Sequence, residues 1–327
     1  MKRIAFGMVL LLIFGCCALP GTGDGGAGNG GQPATGSQNA SGHLVIGEGE
    51  GTVVSEGNAG ETVPVVRYTE TPNSDLYVYF FNVGYGDGQG DAILVKKGDA
   101  DILVDAGPVE KRQGLVTMLL EAGVDDFELV VSTHDNPAET GGLQYVSNRF
   151  KFGELWRPEE GSDNYTAYLD SLGAESVRVV GVGDTKQING MNITVLNPIK
   201  GPGRFFDVNN DGVVVKIEDR GFCVLLTGGI LSAQQTVAQL SGPCRIVQWP
   251  NHGIGAGLTE INYFIDNTEP EVIVISGSAT DWTDSRQSLI SAAQLGTVRN
   301  IPVLENYRGT SVKVVWDGRN YTARVER

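Results

Sequence analysis

The residues best suited to chemistry in this sequence lie in a polar loop that follows a short apolar segment. The segment Phe127–Val131 is apolar, and the loop behind it contains His134 and Glu139. Another histidine, His252, lies far along the chain. Two imidazoles and a carboxylate are a known ligand set for zinc, and bound zinc makes its water a nucleophile near neutral pH. If these three side chains converge, they form a site for zinc or manganese; otherwise hydrogen bonds satisfy both histidines.

A site of this kind needs secondary structure that brings distant loops together. Binding loops of α/β proteins lie at the carboxyl ends of strands, and Phe127–Val131 predicts a buried strand. From Leu76 onward, strand patterns alternate with helical patterns, and some strands follow one another as hairpins. The sequence therefore predicts an α/β domain. Its further predicted elements are strands at Leu76–Asn82, Ala92–Lys96, Asp101–Asp105, Val213–Ile217, Phe222–Thr227, Arg245–Pro250, Val272–Ser276 and Val312–Trp316, and helices at Gly114–Ala122, Ser232–Leu240, Arg286–Gln294 and from Gly141.

The loop Ser132–Gly142 resembles the metal-binding loop of the metallo-β-lactamase superfamily, Ser/Thr-His-x-His-x-Asp-His-x-Gly-Gly. Four residues keep the frame of that motif, whereas three ligand positions are replaced. The matching residues are Thr133, His134, Gly141 and Gly142. The second His, the Asp and the last His of the motif are replaced by Asn136, Ala138 and Glu139. The resemblance thus implies the fold more strongly than the activity.

A series of further motifs resembles one branch of this superfamily, the soluble C-terminal domain of ComEC-type competence DNA-uptake proteins. The branch has an Asp-Val-Gly-Gln-Gly-Asp-Ala hairpin; here Asn82 replaces its first Asp, and Tyr85–Gly88 are inserted before Gln89–Ala92. The resemblance implies a four-layer αββα sandwich over residues 71–327. The other matching segments are Ile102–Gly107, Leu155-Trp156, Gly183–Thr185, Val195–Pro198, Asn209–Val215, Leu225–Gly228 and Pro250–Gly253.

The same resemblance implies that most metal ligands are missing. Gly229 stands where the superfamily has the bridging Asp of Thr-Gly-Asp, and Asn251 replaces the first His of Pro-His-His-Gly. The late Gly-His-Pro-His segment reads Thr283–Arg286. Asp105 is retained, and the family implies a loop-shaping role for it. We therefore expect no cofactor. The expected cleft residues are Asp105, Asp135, Asn136, Gly229 and Asn251, with His134, Glu139 and His252 as a degenerate metal set.

The N-terminal residues have the pattern of a secretory signal. Lys2 and Arg3 precede the apolar run Ile4–Phe14, which is too short to span a bilayer as a helix. Ile13–Cys16 resembles a lipobox, in which the Cys is lipidated and becomes the new N-terminus. Cys17 competes with Cys16 as the acceptor, and an ordinary cleaved signal is the alternative. Residues 1–17 are therefore predicted to be a lipoprotein-type signal peptide.

The composition after the signal predicts a tether, and the net charge indicates which partners are disfavoured. Residues 18–70 are rich in Gly, Ser and Asn, which cannot bury enough apolar surface to fold, so this segment is predicted to be a flexible tether. The net charge of −15 repels phosphate backbones and argues against a nucleic-acid partner. We expect an extracytoplasmic domain whose contact with the membrane is an N-terminal lipid.

Cys223 and Cys244 are the two cysteines outside the N-terminal pair. In the fold that the chain resembles, their two strands are consecutive and end at the same cleft, so the starts of the strands lie close together. Neighbouring strands are about 5 Å apart, which is within the Cα range of a disulfide. An oxidising compartment favours the bond. Two buried free thiols are the alternative.

Three functions are consistent with this sequence. The first is a lipid-anchored domain of metallo-β-lactamase fold that has lost catalysis and binds an unknown ligand in the degenerate cleft. The alternative is a metal-dependent hydrolase, for example of phosphodiesters, with a remodelled site. A second alternative is a structural lipoprotein of the cell envelope. The missing ligands favour the first.

Lipidation of Cys16 predicts that the protein partitions with membranes. Cys16→Ser should release the protein or block its processing, because serine offers no thiol for the lipid. Cys17→Ser is the matched control and should leave partitioning unchanged. Membrane fractionation and mass spectrometry of the N-terminus measure both effects. An unmodified N-terminus beyond Cys17 would contradict the assignment.

Overall fold

The computed structural model describes residues 68–84, 90–201, 204–253, 258–276, 299–306 and 309–327. The predicted signal peptide with Cys16, the tether up to residue 67, the insertion Tyr85–Gly88, the segment Thr283–Arg286 and the predicted helix Arg286–Gln294 lie outside these residues. The chain divides into residues 1–60 and 61–327, and everything described below belongs to the second unit. Within the described ranges, no helix is both long enough and apolar enough to span a bilayer.

Strands and helices alternate along the described chain, as the sequence predicts. The strands are β1 Leu76–Phe80, β2 Ile93–Lys97, β3 Ala100–Val104, β4 Phe127–Val131, β5 Phe152–Arg157, β6 Ser176–Val179, β7 Thr185–Ile188, β8 Met191–Asn197, β9 Val214–Asp219, β10 Phe222–Leu226, β11 Ile246–Gln248, β12 Val272–Ile275, β13 Val303–Glu305, β14 Ser311–Trp316 and β15 Tyr321–Glu326. The α-helices are α1 Arg112–Glu121, α2 Pro137–Thr140, α3 Leu143–Ser147, α4 Asp163–Asp170, α5 Gln234–Ser241 and α6 Leu258–Thr268.

The strands form two mixed sheets. The first has the order β15-β14-β1-β2-β3-β4-β5-β6, and the second has the order β13-β12-β11-β10-β9-β8-β7. In each sheet, hairpin-connected antiparallel strands continue into parallel ones, β3 to β6 in the first and β10 to β13 in the second. Among the parallel strands, β4 and β10 are buried on both faces, which explains their almost uninterrupted apolar sequences.

The two sheets pack face to face around a shared apolar core. Along β1, Leu76, Val78 and Phe80 are buried in that core, and the residues between them are half-buried, as the two-residue period of a strand requires. Leu119 of α1 packs with others on the outer face of the first sheet. Phe264 of α6 does the same for the second sheet. The predicted four-layer αββα sandwich is confirmed.

This topology brings the loops of one edge together. Strands β3, β4, β10, β11 and β12 all end there, and we call it the carboxyl edge. The predicted strand Phe127–Val131 is observed with the predicted bounds. The helix predicted from Gly141 is observed as α3, which begins at Leu143. The short helix α2 precedes it and begins at Pro137, because the side chain of Asn136 accepts a hydrogen bond from the amide of Ala138 and Pro137 is suited to a first helical position.

The two glycines of the loop motif are required by close backbone packing. A Cβ on Gly142 would lie 2.2 Å from the carbonyl oxygen of Ala106, and one on Gly141 would lie 2.6 Å from that of Pro137. The amide of Gly142 donates to the carbonyl of Gly107, and the amide of Ala106 donates to the carbonyl of Glu139. Glycine therefore allows the segment after β4 to pack directly on the loop after β3.

Cys223 and Cys244 form a disulfide in the structure, with their Cα atoms 5.1 Å apart. β10 and β11 are parallel neighbours in which Val224 lies opposite Ile246, so Cys223 and Cys244 lie at the start of adjacent strands. Both residues are buried. The bond lies at the edge opposite to the carboxyl edge.

The disulfide predicts a stability difference between oxidised and reduced protein. Replacing both cysteines by alanine should lower the free energy of unfolding by about 3 kcal/mol, because the bond closes a loop over a sequence separation of 21 residues. Urea unfolding with and without reductant measures this, and the double variant should not respond to reductant. Two free thiols found by non-reducing peptide mapping would contradict the bond.

Candidate functional site

The carboxyl edge holds a buried polar cluster made by loops from both sheets. Glu139 comes from α2 beside the first sheet, and His252 comes from the turn Pro250–Gly253 that follows β11 of the second sheet. Asp91 lies just before β2. All three residues are buried: Glu139 is 1% exposed, His252 is 5% exposed and Asp91 is 2% exposed. Their ionisation therefore depends on one another more than on solvent.

Both ring nitrogens of His252 face hydrogen-bond acceptors. Nε2 lies 3.1 Å from Oε1 of Glu139, and Nδ1 lies 2.9 Å from the carbonyl oxygen of Ser276. A carbonyl or carboxylate oxygen accepts but does not donate, so each nitrogen must carry a proton. His252 is therefore an imidazolium that forms a buried ion pair with Glu139.

Asp91 extends the ion pair into a network. Its backbone amide donates to Oε2 of Glu139, and its Oδ2 accepts a 2.7 Å hydrogen bond from Nε2 of Gln248. Gln248 Nε2 also donates to Oγ of Ser276, and Gln248 Oε1 accepts from the amide of Thr227. Oδ1 of Asp91 has no hydrogen-bond partner among the residues that the structure describes, and lies 3.9 Å from Nδ1 of His252.

The pKa values of the cluster follow from burial and from neighbouring charge. Burial alone would lower the pKa of His252, but the carboxylates of Asp91 and Glu139 outweigh it and raise this pKa to about 9. Burial raises the pKa of Asp91 to about 6, and the nearby charge of Glu139 adds to the effect. Burial also acts to raise the pKa of Glu139, yet the hydrogen bond and charge of His252 hold it below its usual value.

His134 lies in a second part of the cluster. Oγ1 of Thr133 donates to Oδ2 of Asp105 and lies 2.9 Å from Nδ1 of His134, so Nδ1 carries the ring proton. Burial lowers the pKa of His134 and keeps the ring neutral. A Cβ on Gly229 would lie 3.0 Å from Cε1 of this ring. The imidazole therefore occupies the space that a side chain at residue 229 would need.

Three residues of the same loops have strained backbone conformations. Asp105, Asn251 and His252 have φ values of 57°, 47° and 54°, in the left-handed region that costs a non-glycine residue about 1–2 kcal/mol. The amide of Asn251 donates to the carbonyl of Gly228, which helps to hold the turn. This conformation directs the ring of His252 into the cluster. Strain of this kind persists where surrounding contacts compensate it.

The predicted metal set is only partly brought together. Glu139 and His252 meet, but the third member of the group is Asp91 and not His134: among the residues that the structure describes, these are the one set of three whose potential ligand atoms lie within 4.8 Å of one another. Because His252 carries protons on both nitrogens, it has no free lone pair for a metal. Ala138 and Gly229 offer no ligand atom. The residues present therefore do not fit the metal centre that the loop motif implies.

The predicted cleft residues divide into buried and half-buried groups. Asp105 and Gly229 are buried, and Asp105 accepts hydrogen bonds from the amide and hydroxyl of Thr133, which ties the β3 loop to the β4 loop. The half-buried residues are Asp135, Asn136 and Asn251, which we call the rim. Within the rim, Asp135 Oδ2 accepts from the amide of Ser162.

Sequence reasoning missed Gln248 and gave Asp91 no role in the site. Gln248 is the one polar residue in Ile246–Trp249, and its side chain is 1% exposed. A buried polar residue in an apolar strand has to find hydrogen-bond partners, which was the available signal. Asp91 lay in a matched motif, but its place beside Glu139 depends on the pairing of strands distant in sequence.

The ion pair predicts a pH-dependent mutational effect. The pKa of His252 is raised from 6.5 to about 9, so its stabilisation is fully present below pH 6.5 and is lost as pH rises through 9. The cost of His252→Gln in unfolding free energy should therefore be about 3 kcal/mol larger at about pH 6 than at about pH 10. Urea unfolding across this range measures it.

His134→Gln is the matched control for this experiment. Burial lowers the pKa of His134, so the stabilisation by its neutral form is lost as pH falls below 6.5. The cost of His134→Gln in unfolding free energy should therefore be smaller at the lower pH than at the higher pH, which is the opposite of the trend for His252→Gln. If the loss of unfolding free energy caused by His252→Gln is the same at both pH values, the assignment of His252 as an imidazolium is contradicted.

Comparison with known proteins gives structural but not sequence relatives. No protein-family model matches the chain, and no curated protein matches it. Zn(2+)-bound PqqB from Methylobacterium extorquens aligns with a TM-score of 0.51 at 11% identity, covering 72% of this chain and 99% of that one.

Two further structures align at a TM-score of 0.49. The metallo-β-lactamase fold protein YhfI from Bacillus subtilis is 13% identical and covers 73% of this chain and 99% of its own. CmlA, a diiron β-hydroxylase from Streptomyces venezuelae, is 16% identical and covers 79% of this chain and 55% of its own. At these identities the likeness concerns the fold alone. With its two facing mixed sheets and outer helices, the chain has the metallo-β-lactamase fold.

Proposed function

We propose that this protein is an extracytoplasmic, lipid-anchored domain of metallo-β-lactamase fold that does not hydrolyse a substrate and acts by binding. The observation that carries the proposal is the buried Glu139–His252 ion pair. In a metallohydrolase a divalent cation would provide the positive charge among these carboxylates. Here the imidazolium of His252 provides it, with both nitrogens donating to protein oxygens.

Metal binding at His252 would be costly for two reasons. A metal ligand must be deprotonated, and removing a proton from a group of pKa about 9 at neutral pH costs about 3 kcal/mol. The metal would also have to replace the 3.1 Å hydrogen bond to Glu139, whose other oxygen accepts from the amide of Asp91. No compensating histidine is available at positions 136, 138, 229 or 251.

The rim is the surface through which this domain would contact its ligand. Asp135, Asn136 and Asn251 are half-buried residues with carboxylate and amide side chains, in the loops that also carry Glu139 and His252. Amide side chains both donate and accept hydrogen bonds, so such a rim suits a polar ligand. The export signal and tether expected from the sequence put this rim outside the cytoplasm, on a lipid-anchored protein. A structural lipoprotein of the envelope is the remaining alternative without catalysis.

A metal-dependent hydrolase is the second candidate, and one observation favours it. Asp91, Glu139 and His252 group their potential ligand atoms within 4.8 Å, and Oδ1 of Asp91 is buried with no hydrogen-bond partner in the described part of the chain. A site built on two carboxylates and one imidazole would suit manganese or zinc. In that case His252 would have to exchange the proton at Nε2 for the metal.

Metal analysis of the purified protein separates these two functions. The protein should contain well under one equivalent of zinc or manganese, and it should lack phosphodiesterase and β-lactamase activity, because no deprotonated ligand set is available. Elemental analysis after dialysis against each metal, with activity assays in parallel, measures both properties.

Variants give this test its control. Asp91→Asn and His134→Ala should leave the metal content at the same low level. Stoichiometric metal that is lost in Asp91→Asn would overturn the proposal in favour of a site on Asp91, Glu139 and His252. Loss in His134→Ala alone would instead indicate that the retained loop histidine binds metal.

A further inference from the structure

The imidazole of His134 has one nitrogen that the protein leaves unused. Nδ1 carries the ring proton beside Oγ1 of Thr133, so Nε2 keeps a lone pair and can accept a hydrogen bond. Nε2 has no hydrogen-bond partner in the described part of the chain, yet it is not enclosed by protein, unlike Oδ1 of Asp91. The residue as a whole is 2% exposed. Nε2 is therefore an acceptor on a buried ring that a ligand can still reach.

The space beside this nitrogen is left by Gly229, in the loop after β10. The three heavy atoms nearest to a Cβ built on Gly229 all belong to the ring of His134, and Nε2 is 3.1 Å away. The φ of Gly229 is not positive, so its backbone conformation does not require glycine. A methyl group at this position would lie against Nε2 and obstruct it.

The charges around this ring disfavour an anionic ligand. The charges of Glu139, Asp135 and Asp207 all act on His134 in the same direction, and that of His252 opposes them. Glu139 is already paired with His252, which leaves two carboxylates near the open nitrogen. A ligand at Nε2 must therefore supply hydrogen-bond donors and carry no negative charge there.

An exposed aromatic ring belongs to the same side of the domain. Phe206 is 76% exposed, and its φ of 55° lies in the left-handed region. Its amide and that of Phe205 both donate to the buried carboxylate of Asp211. The guanidinium of Arg204 lies 5.2 Å from the centre of the ring. Hydrogen bonds of the backbone thus maintain a conformation that leaves a large apolar ring in solvent.

The loop that carries this ring is fixed to the site at both ends. The amide of Val213 donates to the carbonyl of Thr133. At the other end, Arg204 pairs with Glu160, in the loop that hydrogen-bonds to Asp135. The exposed ring is therefore part of a segment held against the loop after β4 and against its neighbour.

We propose that the ligand of the rim is a neutral sugar, with one hydroxyl group donating to Nε2 of His134 and one face of the sugar ring packed on Phe206. Adjacent hydroxyl groups of a pyranose match the other acceptors, Asp135 and Asp207, and its apolar face matches the flat surface of an aromatic ring. A simple amine would satisfy the acceptors but would not use Phe206. The inference rests on the proposed function, because it names the ligand class of the same rim.

Titration of the protein with chitotriose, cellotriose and maltotriose, followed by ligand-observed NMR, tests the proposal. We expect saturable binding of at least one of these sugars. Gly229→Ala should weaken it about tenfold, because the added methyl group obstructs Nε2 and the hydrogen bond is lost. Gly114→Ala is the matched control, since a Cβ there would have no neighbour within 4 Å, and it should leave the affinity unchanged.

Phe206→Ala tests the second contact and should also weaken binding about tenfold, because the stacking surface is removed. Tyr145→Ala is its control, since Tyr145 is another exposed aromatic residue with an arginine over its ring. The nitrogen-15 resonance of Nε2 of His134 should shift when the sugar is added. Phe206 is on the surface, so its variant stays informative even if Gly229→Ala folds poorly.

Failure of this inference is distinguishable from failure of the proposed function. If none of the sugars binds, or if neither Gly229→Ala nor Phe206→Ala weakens binding, the sugar ligand is overturned, while a low metal content still supports a domain without catalysis. Binding of n-butylamine in place of the sugars would overturn the neutral ligand. Stoichiometric zinc that is lost in His134→Ala would overturn both proposals, because the metal would occupy Nε2.

Discussion

The buried ion pair between Glu139 and His252 is the interaction on which the carboxyl edge of this protein depends. Each residue comes from a loop beside a different sheet, so the pair links the two halves of the sandwich where their strands end. Charges removed from water are tolerated only when they are paired and hydrogen-bonded. Here Asp91, Gln248 and Ser276 supply the surrounding hydrogen bonds, and each of their backbones is in turn positioned by a strand.

A second buried ion pair links the sheets at the opposite edge. Nζ of Lys97 lies 2.7 Å from Oδ1 of Asp219, with both side chains fully buried, and the disulfide Cys223–Cys244 lies at the same edge. Lys97 ends β2 of the first sheet and Asp219 ends β9 of the second. The apolar core between the sheets is non-directional, whereas each ion pair requires one alignment of the facing sheets. The two pairs therefore join the two sheets at opposite edges of the sandwich.

This construction explains how the loop frame can remain while the ligand positions differ. The frame residues have structural roles that do not involve metal: Gly142 allows close packing on Ala106, and Thr133 joins Asp105 to His134. The replaced positions also have structural roles. Asn136 caps α2, and Gly229 makes room for the ring of His134. The loops at this edge are therefore joined by hydrogen bonds between protein groups.

The sequence by itself determined the architecture. Its strand and helix periodicities predicted an α/β domain, because the alternation of buried and exposed residues along a strand such as Leu76–Phe80 is a local property. The resemblance of its ordered motifs to the metallo-β-lactamase superfamily implied the four-layer sandwich. The same resemblance implied that β10 and β11 would be neighbours, on which the pairing of Cys223 with Cys244 depends.

Only the tertiary structure decided the composition of the site. Sequence reasoning grouped His134 with Glu139 and His252, yet Asp91 takes that place, because the start of β2 reaches the carboxyl edge through antiparallel pairing with β3. The protonation of His252 likewise depends on acceptors 113 and 24 residues away along the chain. Local patterns carry no information on such distances, since ionisation is determined by which charges the fold buries together.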